Sequence, residues 1–330
     1  MIAIEWLDQP TAAELSPVAA LLSDWWREVI PGEPDIPAAE LSAEVNDSPD
    51  HHEVAIAVAR AGCEVVGTAQ LLIEHLRGRE SLATLDHFVV APAHRRSRLG
   101  RTLLDAVSAR TLAAGRKRLS GYTSTADPAA SAFAASTGAE TGLVDQQNRA
   151  AVADVDRELL QAWVSRVSQR AAGYELVCLD GVVPDELLAP LAELTHVMNT
   201  APHRDSLEDL IVSPEQARER QQALADQGWT IWTVCAQAPG GELVGFTELA
   251  FAPHRPWLAF QGDTGVLPAH RGRGLGRWLK ATTALRMLAE RPEVSHIETF
   301  NAGVNAPMLG INRAMGFRTV AEWQEWELTL

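Results

Sequence analysis

The stretch Val266-Leu-Pro-Ala-His-Arg-Gly-Arg-Gly-Leu-Gly-Arg277 decides how the rest of the chain is read. An apolar, strand-like run, Leu258–Leu267, precedes it and ends at Pro268. Glycines at 272, 274 and 276 remove Cβ atoms and admit positive φ. Leu275, Trp278, Leu279, Thr282 and Leu285 then fall on one face at helical spacing. A strand, a glycine-rich loop and a helix N-terminus, in that order, offer unpaired amides and partial positive charge to a phosphate. His270, Arg271, Arg273, Arg277 and Lys280 add charge around the same spot. In a chain of net charge −15 this basic cluster is out of character, and a pyrophosphate-bearing ligand accounts for it. The chain has no GxxxxGK[ST] loop, no third Rossmann glycine and no early βαβ unit to carry one, which sets those nucleotide folds aside.

The motif occurs twice. Pro92–Arg101 matches Pro268–Arg277 at seven of ten positions, 176 residues apart. Each copy follows an apolar run (Leu85–Val90; Leu258–Leu267) and precedes a helix-like run (Thr102–Ala114; Trp278–Ala289). A short strand (Arg118–Thr123; Ser295–Phe300) and a helix ending near Gly138 or Gly316 come next. Further strands are predicted at Ile2–Trp6 and Glu175–Leu179, and hairpins at Val54–Leu72 and Ile231–Ala250. A two-unit repeat of about 150 residues each means duplicated domains, since solenoid units are shorter. The expected boundaries are 1–155, a linking helix over 156–172 with apolar residues at 159, 160, 163, 164 and 167, and 173–330.

Arg271-x-x-Gly274-x-Gly276, closing a strand and opening a helix, resembles the acyl-CoA signature of the GCN5-related N-acetyltransferases (GNAT). The segment Thr299–Phe317 is similar to the second half of that family, with Asn301 at a strand end, Asn305 on a helix and a Gly316-Phe317 pair opening the next strand. The resemblance implies an α/β fold of two tandem GNAT-like domains, each a mixed twisted sheet flanked by helices, in a mycothiol synthase-like architecture. It implies acetyl-CoA as co-substrate and no metal. The cofactor contacts it assigns are Val266, Leu267, Arg271, Gly272, Arg273, Gly274, Leu275, Gly276, Arg277, Asn301 and Asn305. A backbone N–H near Thr264–Val266 is expected to polarise the thioester carbonyl.

The first copy departs from the pattern. Arg96, Ser97 and Arg98 stand where the second has Gly272, Arg273 and Gly274, and arginine is expected to hold a conventional φ there. Thr123 and Asp127 replace Asn301 and Asn305, and Ala139 replaces Phe317. The first domain is therefore expected to be structural, helping to shape the acceptor cleft, and the second catalytic.

An amine must be neutral to attack a thioester, so a positioned carboxylate or a water relay is needed. Glu248 and Asp263 are the candidate bases, with Asp263 beside a bulge expected at Gly262. Glu298 is a third choice, expected at the surface. The place where many relatives carry a tyrosine acid holds Asn312, and Ala134 in the first copy. Asn312 can hydrogen-bond the leaving thiolate, although helix packing competes for it. His203, Arg204, Asp205 and His254 lie in loops on the acceptor side. Trp25, Trp26 and Trp163 fit helix faces, whereas Trp229, Trp232 and Trp257 are candidates for a cleft wall.

Composition narrows the classes. Apolar residues make up 46% and charged residues 22% of 330, as in ordinary globular proteins. The acidic balance argues against nucleic acid and suits a cationic small molecule, here a primary amine. No apolar run reaches the roughly 18–20 residues that span a bilayer. Glu5 and Asp8 with no basic region before them argue against a secretory leader, and a cytoplasmic location is expected. Cys63, Cys178 and Cys235 are scattered without metal spacing and are expected to be small core residues. Monomer and homodimer both stay open. Three functions follow: acetylation of a small-molecule amine by direct attack, mycothiol synthase-like acetylation of a cysteinyl amino sugar, or non-catalytic acyl-CoA binding.

Overall fold

The computed structural model describes residues 2–330, so Met1, where the first expected domain begins, lies outside the described residues. The chain runs β1 (Ile2–Trp6), α1 (Ala12–Val29), α2 (Ala38–Asn46), β2 (His52–Ala61), β3 (Glu64–Glu74), β4 (Leu82–Val90), α3 (Leu99–Ala113), β5 (Arg118–Ser124), α4 (Pro128–Ser136) and β6 (Glu140–Ala151). It continues with α5 (Arg157–Arg170), β7 (Glu175–Asp180), α6 (Asp185–Thr195), α7 (Pro214–Asp226), β8 (Thr230–Gln237) and β9 (Leu243–Phe251). The last elements are β10 (Leu258–Val266), α8 (Leu275–Glu290), β11 (His296–Ala302), α9 (Ala306–Ala314) and β12 (Arg318–Thr329).

Two compact units form. The first takes the described chain up to Asp145 with Ser206–Glu208 and Ala321–Leu330. The second takes Gln146–Asp205 and Asp209–Val320. In the first, strands follow the order β1-β2-β3-β4-β5-β12. All neighbouring pairs with a described register are antiparallel except the parallel β4 and β5. The second repeats this plan as β7-β8-β9-β10-β11-β6, with β10 and β11 the parallel pair.

The expected limits at 155 and 173 differ from these units for a physical reason. Trp323–Thr329 of β12 pair antiparallel with Ser124–Arg118 of β5, so the end of the chain completes the first sheet. Helix α5 is not a bare connection either. Asp156 caps its Leu159 amide, and Leu160 and Trp163 are buried with Ala281, Ala284 and Met287 of α8. Each such apolar side chain contributes about 2 kcal/mol by leaving water.

Local signals start and stop the helices. Thr11 and Glu14 form a reciprocal capping box on α1, as do Ser213 and Gln216 on α7. By contrast α3 and α8 begin without a side-chain cap, each at a residue in the left-handed region, Arg98 and Gly274.

That detail corrects the reading of the first loop. Arg96 (φ 62°) and Arg98 (φ 69°) adopt the positive φ of Gly272 (79°) and Gly274 (86°) rather than a conventional one. The strand and helix on either side fix the loop's path, and the arginines carry the strain of about 1–2 kcal/mol per residue. Cys63 and Cys178 are also exposed, and only Cys235 joins a core. An edge position at a hairpin turn and on an outer strand leaves the first two in solvent. Trp26 packs edge-on against Trp25 and Trp323, and Trp25 meets Trp323 at a tilt, with ring centroids 5.0–6.0 Å apart.

Arg98→Gly should stabilise the protein by about 0.5–1 kcal/mol, the relief of strain less the entropy of glycine. Urea unfolding checks this, and a variant less stable than wild type would contradict the strain argument.

Candidate active site

The candidate site borders the second unit's parallel pair. β10 and β11 pair only from Leu258–Phe260 to His296–Glu298. Beyond Phe260 the strands part, and the β10 edge facing β11 loses its ladder. On the other side β10 stays with β9, but the register breaks between Gln261 and Thr264. Gly262 and Asp263 bulge there, as the sequence suggested. The Gln261 amide donates to the Glu248 carbonyl (2.6 Å) and the Thr247 hydroxyl (3.0 Å), and Thr247 and Thr264 hydroxyls meet at 2.7 Å. These bonds fix the bulge and turn Asp263 outward.

A cavity of about 920 Å³ opens between the parted strands, the loop and α9. Val266, Arg271, Gly272, Gly274, Leu275 and Gly276 line it from the strand end and loop. Arg277, Asn301, Asn305 and Asp263 line it too. Leu267 does not; its amide bonds to the Val244 carbonyl (2.9 Å) and its side chain packs on the core. Arg273 is exposed and outside the cavity wall. A Cβ at Gly272 or Gly274 would meet nothing within 4 Å, so positive φ rather than crowding calls for glycine.

Side chains of the basic cluster also brace the loop. Arg271 donates through Nε to the Val266 carbonyl (2.9 Å) and through Nη2 to Thr200 Oγ1 (2.7 Å). Arg95 makes the same Nε bond to Val90 O (3.0 Å) in the first unit. His270 is held by the Tyr174 hydroxyl at 2.7 Å, although no spacing rule connects those two positions. The Arg277 guanidinium lies 5.4 Å from the Trp163 ring centroid.

Glu248 sits opposite the bulge, and a Cβ at Gly262 would lie 3.4 Å from its own Cβ. Burial raises its pKa above the usual carboxylate range; Arg220 of α7 opposes this and Asp263 reinforces it. The two expected bases therefore face one cation. Asn312 is buried, 1% exposed, and its Nδ2 donates to Asn301 Oδ1 at 2.7 Å. Asn305 caps α9 through the Met308 amide, so its side chain is partly committed to the helix.

Some expectations change. Glu298 is not at the surface: at 4% exposed it accepts from Arg149 Nε (2.8 Å) and Gln147 (2.9 Å). Trp232 lies in the core under Arg286, 3.9 Å from its ring centroid, and Trp257 packs on His296, so neither walls the cavity. Trp229 touches the cavity only through Phe260, 5.8 Å away. His203 is tied to the Asn199 and Arg204 carbonyls, and His254 is exposed. Lys280, counted with the basic cluster, is buried instead. Among the described residues no group of His, Cys, Asp or Glu is placed to hold a metal, and no helix is long and apolar enough to cross a membrane.

A parted parallel pair, a bulge and a glycine loop opening a helix, all built on a duplicated sheet, are the features of a tandem acetyltransferase-like fold. The chain matches the acetyltransferase (GNAT) family over residues 18–139 and 191–317. It is 31% identical over 244 residues to a mycothiol acetyltransferase of Clavibacter sepedonicus, spanning 71% of this chain and 69% of that one. A tandem GNAT protein from the clavulanic acid biosynthesis pathway superposes with a TM-score of 0.81 at 24% identity, covering 100% of this chain and 98% of the other. A GCN5-related N-acetyltransferase from Sphaerobacter thermophilus gives 0.69 at 15%, covering 99% and 95%. These two likenesses show the fold. The chain belongs to the GNAT acetyltransferase family and is an N-acetyltransferase.

Glu298→Ala should cost about 3 kcal/mol, because it removes one partner of a buried ion pair. Denaturant unfolding measures this, and a loss under about 1 kcal/mol would show the pair to be dispensable.

Proposed function

We propose that the second unit transfers the acetyl group of acetyl-CoA to the primary amine of a small molecule by direct attack on the thioester. The observation that carries this reading is the single cavity onto which the glycine loop, the bulged edge of β10 and the Asp263 carboxylate all open. The residues suit the cofactor. Uncapped α8 amides and Gly272–Gly276 would receive the pyrophosphate, and Asn301 and Asn305 would flank the arm from the far side. Backbone N–H groups between Gly262 and Val266 that face β11, where the β10–β11 ladder has stopped, supply donors for charge developing on the carbonyl oxygen.

Glu248 takes the proton from the incoming amine, and Asp263 attracts the amine as a cation before that. No cysteine or serine lines the cavity among the described residues, which supports a sequential mechanism over an acyl-enzyme. The first unit serves as scaffold. Counting from Gly67 opposite Val90 and Gly245 opposite Val266, Gln70 occupies the place of Glu248. Thr123, in the place of Asn301, is bonded to the Trp326 indole (2.8 Å). The 31% identical relative, named a mycothiol acetyltransferase, favours a second reading in which the acceptor is a cysteinyl amino sugar. An acceptor panel separates the two readings.

Glu248→Gln should lower kcat/KM by about 10²–10³-fold. The wild-type rate should rise with pH through the raised carboxylate pKa, since only the ionised base accepts a proton, and the variant should lose that limb. A pH–rate profile shared by both would exclude Glu248 as the base. Gly274→Asp should weaken acetyl-CoA binding at least about tenfold in calorimetry, while Arg98→Asp leaves turnover unchanged. Retained affinity in the first variant would misplace the pyrophosphate, and lost turnover in the second would make the first unit catalytic.

A further inference from the structure

Lys280 is 1% exposed and yet forms part of the cavity wall. A lysine amine so far out of water normally has a carboxylate against it. Here no ion pair reaches it among the described residues, and its one aromatic neighbour is Phe317, 5.8 Å from Nζ to ring centroid. Burial alone pushes its pKa down to about 7. The other charged groups on the cavity are Arg170, Asp263, His270, Arg271, Arg277 and Glu298. Glu298 is held by Arg149, Arg271 by Val266 and Thr200, and His270 by Tyr174. Arg277 lies over Trp163, and Asp263 faces Arg220.

The position of Lys280 follows from its helix. A Cβ at Gly276 would lie 3.8 Å from Ile311 of α9, and Lys280, four residues on, shares that face. Four helical residues rise about 6 Å, the length of roughly two strand residues. Helix α8 crosses between two parallel strands and so runs back along β10. Leu279, beside Lys280, lies 3.4 Å from a Cβ built on Gly245, the partner of Val266. Lys280 therefore stands level with Thr264–Val266, over the gap where β10 and β11 part. That is the depth at which freed backbone amides meet the thioester in the function proposed above, on which this inference rests.

We propose that Lys280 donates the proton that the leaving sulfur requires. The acceptor nitrogen forms its bond to the carbonyl carbon, and the carbon–sulfur bond breaks with its electron pair going to sulfur. The Lys280 ammonium passes one proton to that sulfur, leaving CoA as the thiol and the amine neutral. Solvent, or the proton removed from the acceptor, restores the ammonium. Charge growing on the sulfur favours the charged form of the amine beside it, so the ammonium is in place when the proton is needed. Asn312 cannot take the role, because an amide is not an acid near neutral pH.

CoA thiol bound to the protein tests the contact directly, since its ionisation is read from the ultraviolet absorbance of the thiolate, with binding followed by calorimetry on the same samples. Wild type should lower the thiol pKa by about one unit or more relative to free CoA, as an adjacent cation does. Lys280→Met should abolish that shift, and Lys280→Arg, permanently charged, should keep it. Removing a buried unpaired amine favours folding of the Met variant, and its kcat should fall about 10²-fold. Bound CoA titrating like free CoA in wild type overturns the proposal without any variant, as does an unchanged shift in Lys280→Met. Failure of wild type to bind CoA at all overturns the cofactor reading beneath it instead.

Discussion

The site depends on one interruption of backbone pairing. After Phe260 and Glu298 the parallel strands β10 and β11 stop bonding to one another. A continuous sheet would leave neither a cavity nor a free amide at this depth. The separation is maintained from both sides. On β9, Gln261 and the Thr247–Thr264 pair lock the bulge that bends β10. On β11, Glu298 is anchored by Arg149 and Gln147 of β6, the next strand. Glu298 thus braces the parted strand.

The duplicated loop shows what geometry requires and what binding requires. Arg96 and Arg98 reach the same left-handed conformations as Gly272 and Gly274, so the path of the loop is imposed by the strand and helix it joins. Glycine takes those positive φ values without the strain that Arg96 and Arg98 carry, and nothing lies within 4 Å of the missing Cβ atoms at Gly272 and Gly274. The arginine braces, Arg95 and Arg271, are common to both loops and belong to the turn itself.

Much of this was legible in the sequence because it is local. Strand, loop and helix around Val266–Arg277 follow from apolar spacing and glycine placement, and the bulge follows from Gly262-Asp263 inside an apolar run. What escaped is non-local. Nothing near Glu298 announces Arg149, and nothing in Arg318–Thr329 announces that β5 is its partner. Tyr174 and His270 meet across 96 residues. Lys280 looks like surface charge beside an apolar helix face, and only the packing of α8 toward Ile311 and Phe317 shows it to be buried. Trp232 fails for the same reason, since a strand's periodicity does not say which face α8 covers.

Amide hydrogen exchange of the whole chain with and without acetyl-CoA reads, residue by residue, whether the freed backbone N–H groups meet the cofactor. Exchange should slow at Gly262–Val266 and Gly272–Arg277 when acetyl-CoA is present. Saturating acetyl-CoA with no protection in either stretch would contradict this and place the cofactor elsewhere.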